Sequence, residues 1–440
     1  MSLAPVPSTP WLLRWQGLLA GSASGPISSR FSLLAGIVLC ALMAGLPLVT
    51  RGGLSLLILA AGLLWLLWAL CTPAGRIGGI SGWLLVMLGV AVLATGFSPV
   101  PMAAFKGLLK LISYLGVYAL MRELLARAPQ WWNRIVAALL AGELVSAVMA
   151  IRQLYGDTTE LARWADPNSV ADGTIRVYGP LENPNLLAGY LIPILPIALV
   201  ALLRWRTWPQ RLFAAASLLT GTAALFLSYS RGGWLGMLAA LGAVVLLLVL
   251  RQTRQWPTLW RRLFPLLLVS AAVAVLVVAV TQIEPLRIRV MSLVAGRQDS
   301  SNNFRINVWL AAIEMVQDRP WLGIGPGNSA FNLIYPLYQQ PKFNALSAYS
   351  VPLELLVEGG IPNLLAGLGL LAASIRAGWA QLKGESSWAL PALAALAAIA
   401  GLCVQGITDT IFFRPEVQLT GWFCLATLSV SRSAQASGDA

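Results

Sequence analysis

The amino-acid sequence predicts an all-α polytopic membrane protein with about twelve transmembrane helices and a large, partly helical loop outside the membrane. Of its 440 residues, 58% are hydrophobic and only 11% are charged, whereas a soluble domain is typically about 25% charged. Apolar runs recur along the chain, and many approach the roughly 20 residues that a helix needs to cross a bilayer. This composition excludes an ordinary soluble protein.

Twelve apolar runs are long enough, or nearly long enough, to cross a membrane. The fourth is the weakest, because Lys106 and Lys110 interrupt it. The predicted spans lie at approximately 31–50, 54–71, 80–97, 103–121, 135–151, 185–203, 211–228, 232–250, 263–281, 353–375, 388–407 and 417–431.

These spans divide the chain into five segments. Residues 1–30 lack the length and cleavage pattern of a signal peptide and are predicted to form a cytoplasmic segment at the membrane surface. The others are transmembrane helices 1–9 (31–280, with an external loop at 152–184), a large periplasmic loop (281–352), transmembrane helices 10–12 (353–431) and a cytoplasmic tail (432–440).

The distribution of basic residues predicts the orientation in the membrane. An even number of spans places both termini on one side. Arginine and lysine concentrate in alternate short loops, those at 122–134, 204–211, 251–262 and 376–383. The opposite short loops hold mainly Arg51, Arg231 and Arg414. Because short cytoplasmic loops carry the excess of basic residues, both termini are predicted to be cytoplasmic and both long loops external.

The residue types exclude several classes of function. The chain has a formal net charge of +13, but its basic residues cluster between apolar runs, so nucleic acid is not a predicted partner. It contains no histidine, which excludes a His-ligated metal, a Ser-His-Asp triad and a histidine base; no metal or other cofactor is predicted. The cysteines show no paired spacing and are predicted to be buried free thiols; they are Cys40, Cys71, Cys403 and Cys424.

The large external loop contains a predicted helix and a glycine-rich turn. Apolar residues recur at helical spacing from Ile306 to Val316, Asn302 or Asn303 can cap the helix, and Pro320 ends it. A flexible turn is predicted next, with glycines at 323, 325 and 327. The turn lacks the Lys-Ser/Thr pair of a phosphate loop, so a nucleotide site is not predicted.

Two arginines are candidate ligands for an external diphosphate. Arg231 follows a very short external turn, where a charge facing lipid is costly, and Arg305 lies in the first turn of the loop helix. Several guanidinium groups together can hold a diphosphate without a metal. Ion pairs with Glu284, Asp299 or Asp318 are the alternative.

A third candidate ligand lies where the smaller loop ends, in "NPN". There Asn185 is predicted to cap the following helix, and exposed N–H groups at a helix start can also attract an anion.

The segment that leads back into the membrane supplies candidate catalytic residues. Tyr349 has an ordinary pKa of about 10, so it is a poor general base but can orient a substrate through a hydrogen bond. Glu354 and Glu358 are four residues apart and share one helical face. One of them is expected to face the arginines, and Glu358 is the predicted proton acceptor. Capping near the membrane edge is the alternative.

Charged residues inside the predicted spans are candidates for an ion path. Glu143 lies in the middle of its span, with Lys106 or Lys110 as the predicted partner. A buried ion pair between helices is the alternative. Gln405 and Asp409, near the end of the eleventh span, are weaker candidates.

Seven stretches carry a family resemblance: "NSVADGTIRVY", "NPNLLAGYLIP", "YSRGGWLG", "SSNNFRINVWLA", "QDRPWLGIGPGN", "YPLYQQ" and "LSAYSVPLE". They are similar to a cyanobacterial family of the IctB type, labelled as a bicarbonate transporter, within the O-antigen ligase and polymerase superfamily. The superfamily resemblance implies a helical membrane fold with arginines that bind the diphosphate of a polyprenyl-linked glycan. Arg231 and Arg305 match those arginines, whereas Tyr349 and Ser350 stand where the ligases carry a His-Asn pair.

Three functions remain open at this point. One is metal-independent transfer of a glycan from polyprenyl diphosphate to an acceptor hydroxyl, at the outer face of the plasma membrane or of a thylakoid. The second is bicarbonate transport, or assistance to inorganic-carbon accumulation. The third is a non-catalytic scaffold, because Tyr349 replaces the ligases' histidine.

Overall fold

A computed structural model describes residues 26–71, 77–156, 176–282, 287, 296–384 and 386–436. All the regular structure in this part of the chain is helical, which confirms the predicted all-α class. Most of the predicted N-terminal segment, most of the loop at 152–184 and the end of the tail lie outside the described residues.

Each predicted span coincides with a long helix. These helices are α1 (Pro26–Gly45), α2 (Arg51–Cys71), α3 (Gly79–Gly96), α4 (Pro101–Arg127), α5 (Trp131–Arg152), α6 (Pro184–Arg204), α7 (Trp208–Leu227), α8 (Arg231–Gln252), α9 (Thr258–Gln282), α12 (Val351–Lys383), α13 (Ala389–Gly406) and α14 (Pro415–Ala436). The large loop adds α10 (Ser300–Asp318) and α11 (Asn328–Ile334), so it is partly helical, as predicted. Among the described residues, nine helices are long and apolar enough to cross a membrane; the total of twelve stays a prediction.

Short 3₁₀ turns connect several of these helices. They lie at Gln153–Tyr155, Gly179–Leu181, Thr253–Gln255, Gly296–Gln298, Tyr335–Leu337 and Ile411–Phe413.

Helix α6 forms the centre of the bundle. It packs against α5, α7, α8, α13 and α14, and its side chains are buried along most of its length. Pro193 and Pro196 lie inside it, where neighbouring helices can satisfy the backbone groups that a proline frees. Beside it α8 and α13 approach very closely, since a Cβ on Gly401 would lie 2.8 Å from the carbonyl oxygen of Gly236. Small residues permit such crossings between membrane helices.

The outer surface of the bundle is apolar. Leu56, Leu59, Leu219, Leu365 and Leu368 are each more than half exposed. An apolar surface of this extent is stable against lipid and not against water, and helices satisfy their own backbone groups there. The chain is therefore an integral membrane protein.

Helix α12 is interrupted at Gly360, whose backbone angles (φ 69°, ψ −165°) are not helical. The carbonyl oxygens next to the interruption accept hydrogen bonds from the glycine-rich turn. Ile324 N–H donates to Val357 O at 2.9 Å, and Gly325 N–H donates to Glu358 O at 3.0 Å. These bonds hold the turn, which the sequence predicts to be flexible, against α12.

Candidate functional site

Three arginines converge at the end of the bundle where α6 and α8 begin and α13 ends. Arg305 interacts electrostatically with Arg231 and Asp409, and Asp409 interacts with Arg176 as well. We call this group, together with Asn185, the arginine site. The structure thus places Arg231 and Arg305 within electrostatic range of each other, with Arg176 and Asp409 beside them.

Arg231 is the first residue of α8 and is held by an ion pair. Its Nη2 lies 2.8 Å from Oδ1 of Asp299, whose side chain is fully buried. The same oxygen accepts a hydrogen bond from Asn302 N–H at 3.0 Å, so Asp299 caps α10. One of the ion pairs considered from the sequence is therefore formed, and Asp299 caps the helix in place of the predicted Asn302 or Asn303. A single carboxylate fixes both Arg231 and the start of α10.

Arg305 projects from the second turn of α10 into an enclosed position. Burial lowers the pKa of Arg305, and the nearby Asp409 carboxylate opposes this change. A guanidinium group remains cationic because its ordinary pKa lies above about 12. Its Nε is buried and has no hydrogen-bond partner among the described residues. A buried donor without an acceptor is costly, so this position favours an oxyanion.

Arg176 is a site residue that sequence reasoning missed. Its Nε donates to Ser228 O at 3.0 Å, and its Nη2 donates to Asn185 Oδ1 at 2.8 Å. Asn185 therefore positions Arg176 and does not cap α6 as predicted. The cap is Asn183, whose side-chain oxygen accepts from the N–H groups of Asn185 and Leu186.

Asp409 is the carboxylate that faces the arginines. It is buried, and its Oδ1 accepts a hydrogen bond from Thr410 N–H at 2.8 Å. Burial raises the pKa of Asp409, while Arg305, the Thr410 N–H bond and Arg176 lower it. From the sequence alone, Asp409 is only a weaker candidate for an ion path.

Tyr349 borders the arginine site in a rarely populated backbone conformation. Its φ is +50°, which is uncommon for a residue other than glycine. The Tyr349 ring meets the Phe304 ring edge-on, with 5.2 Å between centroids. The backbone carbonyl oxygen of Tyr349 accepts a hydrogen bond from Trp309 Nε1 at 3.3 Å. Burial and the charge on Asp409 raise the pKa of Tyr349, while Arg305 opposes them. The phenol therefore stays protonated and can donate a hydrogen bond.

The two glutamates of α12 lie in a different cluster. Oε2 of Glu354 accepts from Ala348 N–H at 2.6 Å, and Oε1 of Glu358 accepts from Gly327 N–H at 2.7 Å. Their cationic neighbour is Lys110, whose Nζ donates to Phe413 O at 2.8 Å. The expectation that one of these carboxylates faces the arginines is not met, because Asp409 takes that place.

Among the described residues, no basic side chain pairs with Glu143. It is fully buried in α5, and a Cβ on Gly221 of α7 would lie 2.5 Å from its Oε1. Ser217 of α7 lies beside its carboxylate, but the Ser217 hydroxyl donates to Leu140 O at 3.3 Å, and neither carboxyl oxygen accepts a hydrogen bond from the described residues. Lys110 instead faces Glu358, and Lys106 is exposed. The predicted pairing of Glu143 with either lysine is therefore wrong.

The arginine site can stabilise a negatively charged group and accept a proton. Its cations are guanidinium groups, which bind phosphate oxygens in pairs, and its aspartate can act as a base when ionised. Within the described residues, no group of three or more His, Cys, Asp or Glu side chains could hold a metal ion.

Comparison with known proteins relates this site to one superfamily. Residues 215–368 match a family model described as O-Antigen ligase. The matched segment contains Arg231, Arg305 and Tyr349, whereas Arg176 and Asp409 lie outside it. No curated protein matches the chain. The match supports the O-antigen ligase superfamily for this helical membrane protein, and it does not test the finer resemblance to the IctB-type family.

Proposed function

We propose that the protein binds a polyprenyl-diphosphate-linked glycan at the arginine site and transfers the glycan to an acceptor hydroxyl without a metal ion. The observation that carries this proposal is the enclosed guanidinium group of Arg305. Its Nε lacks an acceptor, although Arg231 and Arg176 lie in the same site. Three arginines around one enclosed position suit an anion with several oxygens.

The charge of the site supports a diphosphate. Three guanidinium groups face two carboxylates, Asp299 and Asp409. Asp299 is already committed to Arg231 and to the start of α10. Even with Asp409 ionised, three guanidinium charges exceed two carboxylate charges. The net charge is therefore positive, which favours a multiply charged anion.

The reaction would proceed by displacement at the sugar's anomeric carbon. The acceptor oxygen forms a bond to that carbon, and the bond from the carbon to the diphosphate oxygen breaks. The bonding electrons pass to the diphosphate, where the arginines stabilise the developing charge. The hydroxyl proton goes to a carboxylate, and the geometry favours Asp409 over Glu358 because Asp409 faces the arginines. Tyr349 would orient the substrate as a hydrogen-bond donor.

Binding of polyprenyl diphosphate to the protein in lipid nanodiscs tests the proposal. Removal of a charged hydrogen-bond donor costs about 1.5–3 kcal/mol, so Arg305→Ala should weaken binding roughly 10- to 150-fold. Arg305→Lys keeps the charge but loses the planar guanidinium group, so its affinity should lie between that of the unchanged protein and that of Arg305→Ala. Arg319→Ala is the matched control, because Arg319 is exposed at the other end of α10. Unchanged binding by Arg305→Ala would overturn the proposal.

Bicarbonate transport, the alternative, requires a polar path to the opposite face of the membrane. The predicted ion path loses its support because no basic side chain among the described residues pairs with Glu143, and Lys110 lies in the cluster with Glu358. Bicarbonate flux into proteoliposomes that contain only this protein would reverse the ranking. We expect no flux above that of protein-free liposomes.

A further inference from the structure

A second cavity lies between α3, α4, α12, α13 and α14. Its volume is about 340 Å³, and most of its lining is aliphatic or aromatic. Six glycines lie along its walls, namely Gly107, Gly327, Gly359, Gly367, Gly406 and Gly421. None of the residues of the arginine site lines it.

A wall of two short segments separates this cavity from the arginine site. Val351, Phe412 and Phe413 line the cavity, while Tyr349 and Asp409, a few residues before them in the chain, belong to the arginine site. The side chains of Ser347 and Thr410 are hydrogen-bonded and join the two segments. The cavity is therefore distinct from the arginine site and not an extension of it.

The cavity reaches the lipid-facing surface of the bundle. Leu368 lines it and is 53% exposed. On α12 the lining extends from Val351 to Ser374. The part after the interruption at Gly360, from Asn363 to Ser374, alone covers about 16 Å at 1.5 Å per residue. An elongated apolar space with a side opening at this depth suits a hydrocarbon chain that enters from the bilayer.

Lys110 and Glu358 are the only charged side chains that line the cavity within the described residues. They interact electrostatically, but no salt bridge joins them. Each has one hydrogen bond, Lys110 to Phe413 O and Glu358 from Gly327 N–H. An ammonium group has three donors and a carboxylate several acceptor positions, so both have capacity left. A hydroxyl group can accept from the lysine and donate to the glutamate at the same time.

The charge balance disfavours a charged headgroup. The charges that act on Lys110 are Glu358, Glu416 and Glu354, which are negative, and Arg414, which is positive. Three carboxylates thus outnumber two cations, Lys110 and Arg414, so the balance repels a phosphate, while the lysine repels an amine. Because a chain gains little hydrophobic free energy on moving from lipid into a protein cavity, the polar pair must provide the selectivity.

We propose that this cavity binds a membrane amphiphile with one hydrocarbon chain and an uncharged hydroxyl headgroup, which bridges Lys110 and Glu358. The site is independent of the proposed glycan transfer. It is tested with a long-chain primary alcohol that carries a diazirine, crosslinked to the protein in nanodiscs and mapped by peptide mass spectrometry. Crosslinks should fall on α4, α12 and α13. Unlabelled lauryl alcohol should inhibit this crosslinking at a concentration at least tenfold lower than lauryl phosphate or lauryl amine does.

Matched variants make the outcome decisive. Lys110→Met and Leu371→Trp, which fills the cavity, should each reduce crosslinking at least fivefold. Lys106→Met, one turn away and exposed, and Leu365→Trp, on the lipid-facing side of α12, should leave it unchanged. Arg305→Ala should also leave it unchanged, which separates this site from the arginine site. Equal competition by the phosphate, or crosslinks spread over the outer faces of α2 and α7, would overturn the proposal.

Discussion

The ion pair between Arg231 and Asp299 should couple the start of α8 to the stability of α10. Arg231→Gln leaves the fully buried carboxylate of Asp299 without its cation, which should lower the stability of α10 by about 3 kcal/mol. Asp299→Asn retains a good helix cap and leaves an arginine whose side chain is still 11% exposed, so its cost should be about 1–2 kcal/mol. The double variant carries neither unpaired charge. The double variant should therefore lower the stability of α10 by about 2 kcal/mol less than the two single variants together. This difference corresponds to roughly a thirtyfold change in the equilibrium constant for opening of α10.

Hydrogen exchange of α10 measures this coupling, because α10 lies outside the predicted spans and opens locally. Amide protection between residues 300 and 318 should fall strongly for Arg231→Gln and less for Asp299→Asn. The double variant should lose less amide protection than the two single variants lose together. Arg319→Gln, at the opposite end of α10, should be additive with Asp299→Asn. Additivity of the Arg231 and Asp299 variants within about 0.5 kcal/mol would refute the reasoning, since independent sites add within that limit.

Three other predictions concern proton transfer, packing and orientation. The rate of glycan transfer should rise as the pH passes through the raised pKa of Asp409, because a base acts only when it is ionised. Asp409→Asn should remove this pH dependence. A pH profile that is unchanged in that variant would exclude Asp409 as the base. Gly327→Ala should destabilise the protein by at least about 2 kcal/mol in thermal unfolding. The φ of Gly327 is +96°, and a Cβ there would lie 2.7 Å from a backbone atom of α4. Gly242→Ala is the control and should not destabilise the protein, because a Cβ at Gly242 meets open space. An impermeant maleimide added to intact cells should label Lys342→Cys and not Lys383→Cys, and the reverse result would invert the predicted orientation.

The positions of the long helices could be predicted because lipid imposes one strong rule on the sequence. Every backbone group in the bilayer must be satisfied within the protein, so long apolar runs become helices. The cap of α6 was also readable, although it was assigned to the wrong asparagine. Pro184 suits the first position of a helix, which makes Asn183 the residue before it and the cap.

The arginine site could be predicted only in part, because its geometry depends on contacts between distant segments. Arg231 and Arg305 stood out through their positions at helix starts. Arg176 lies in a loop, and only its bonds to Asn185 and Ser228 bring it into the site. The spacing of Glu354 and Glu358 correctly placed them on one helical face. It could not show that this face meets Lys110, which depends on the packing of α4 against the glycine-rich turn.

The absence of histidine from the chain fits a reaction that takes up one proton and supplies none. A diphosphate stabilised by three arginines can leave as an anion, so no acid is needed to protonate it. The acceptor hydroxyl must lose a proton, and a buried carboxylate with a raised pKa accepts one more readily than an ordinary aspartate does. Tyr349, which the sequence resemblance aligns with the ligases' histidine, stays protonated because burial raises its pKa. Under the proposed function, the proton-accepting role therefore falls to Asp409, and Tyr349 contributes a hydrogen bond.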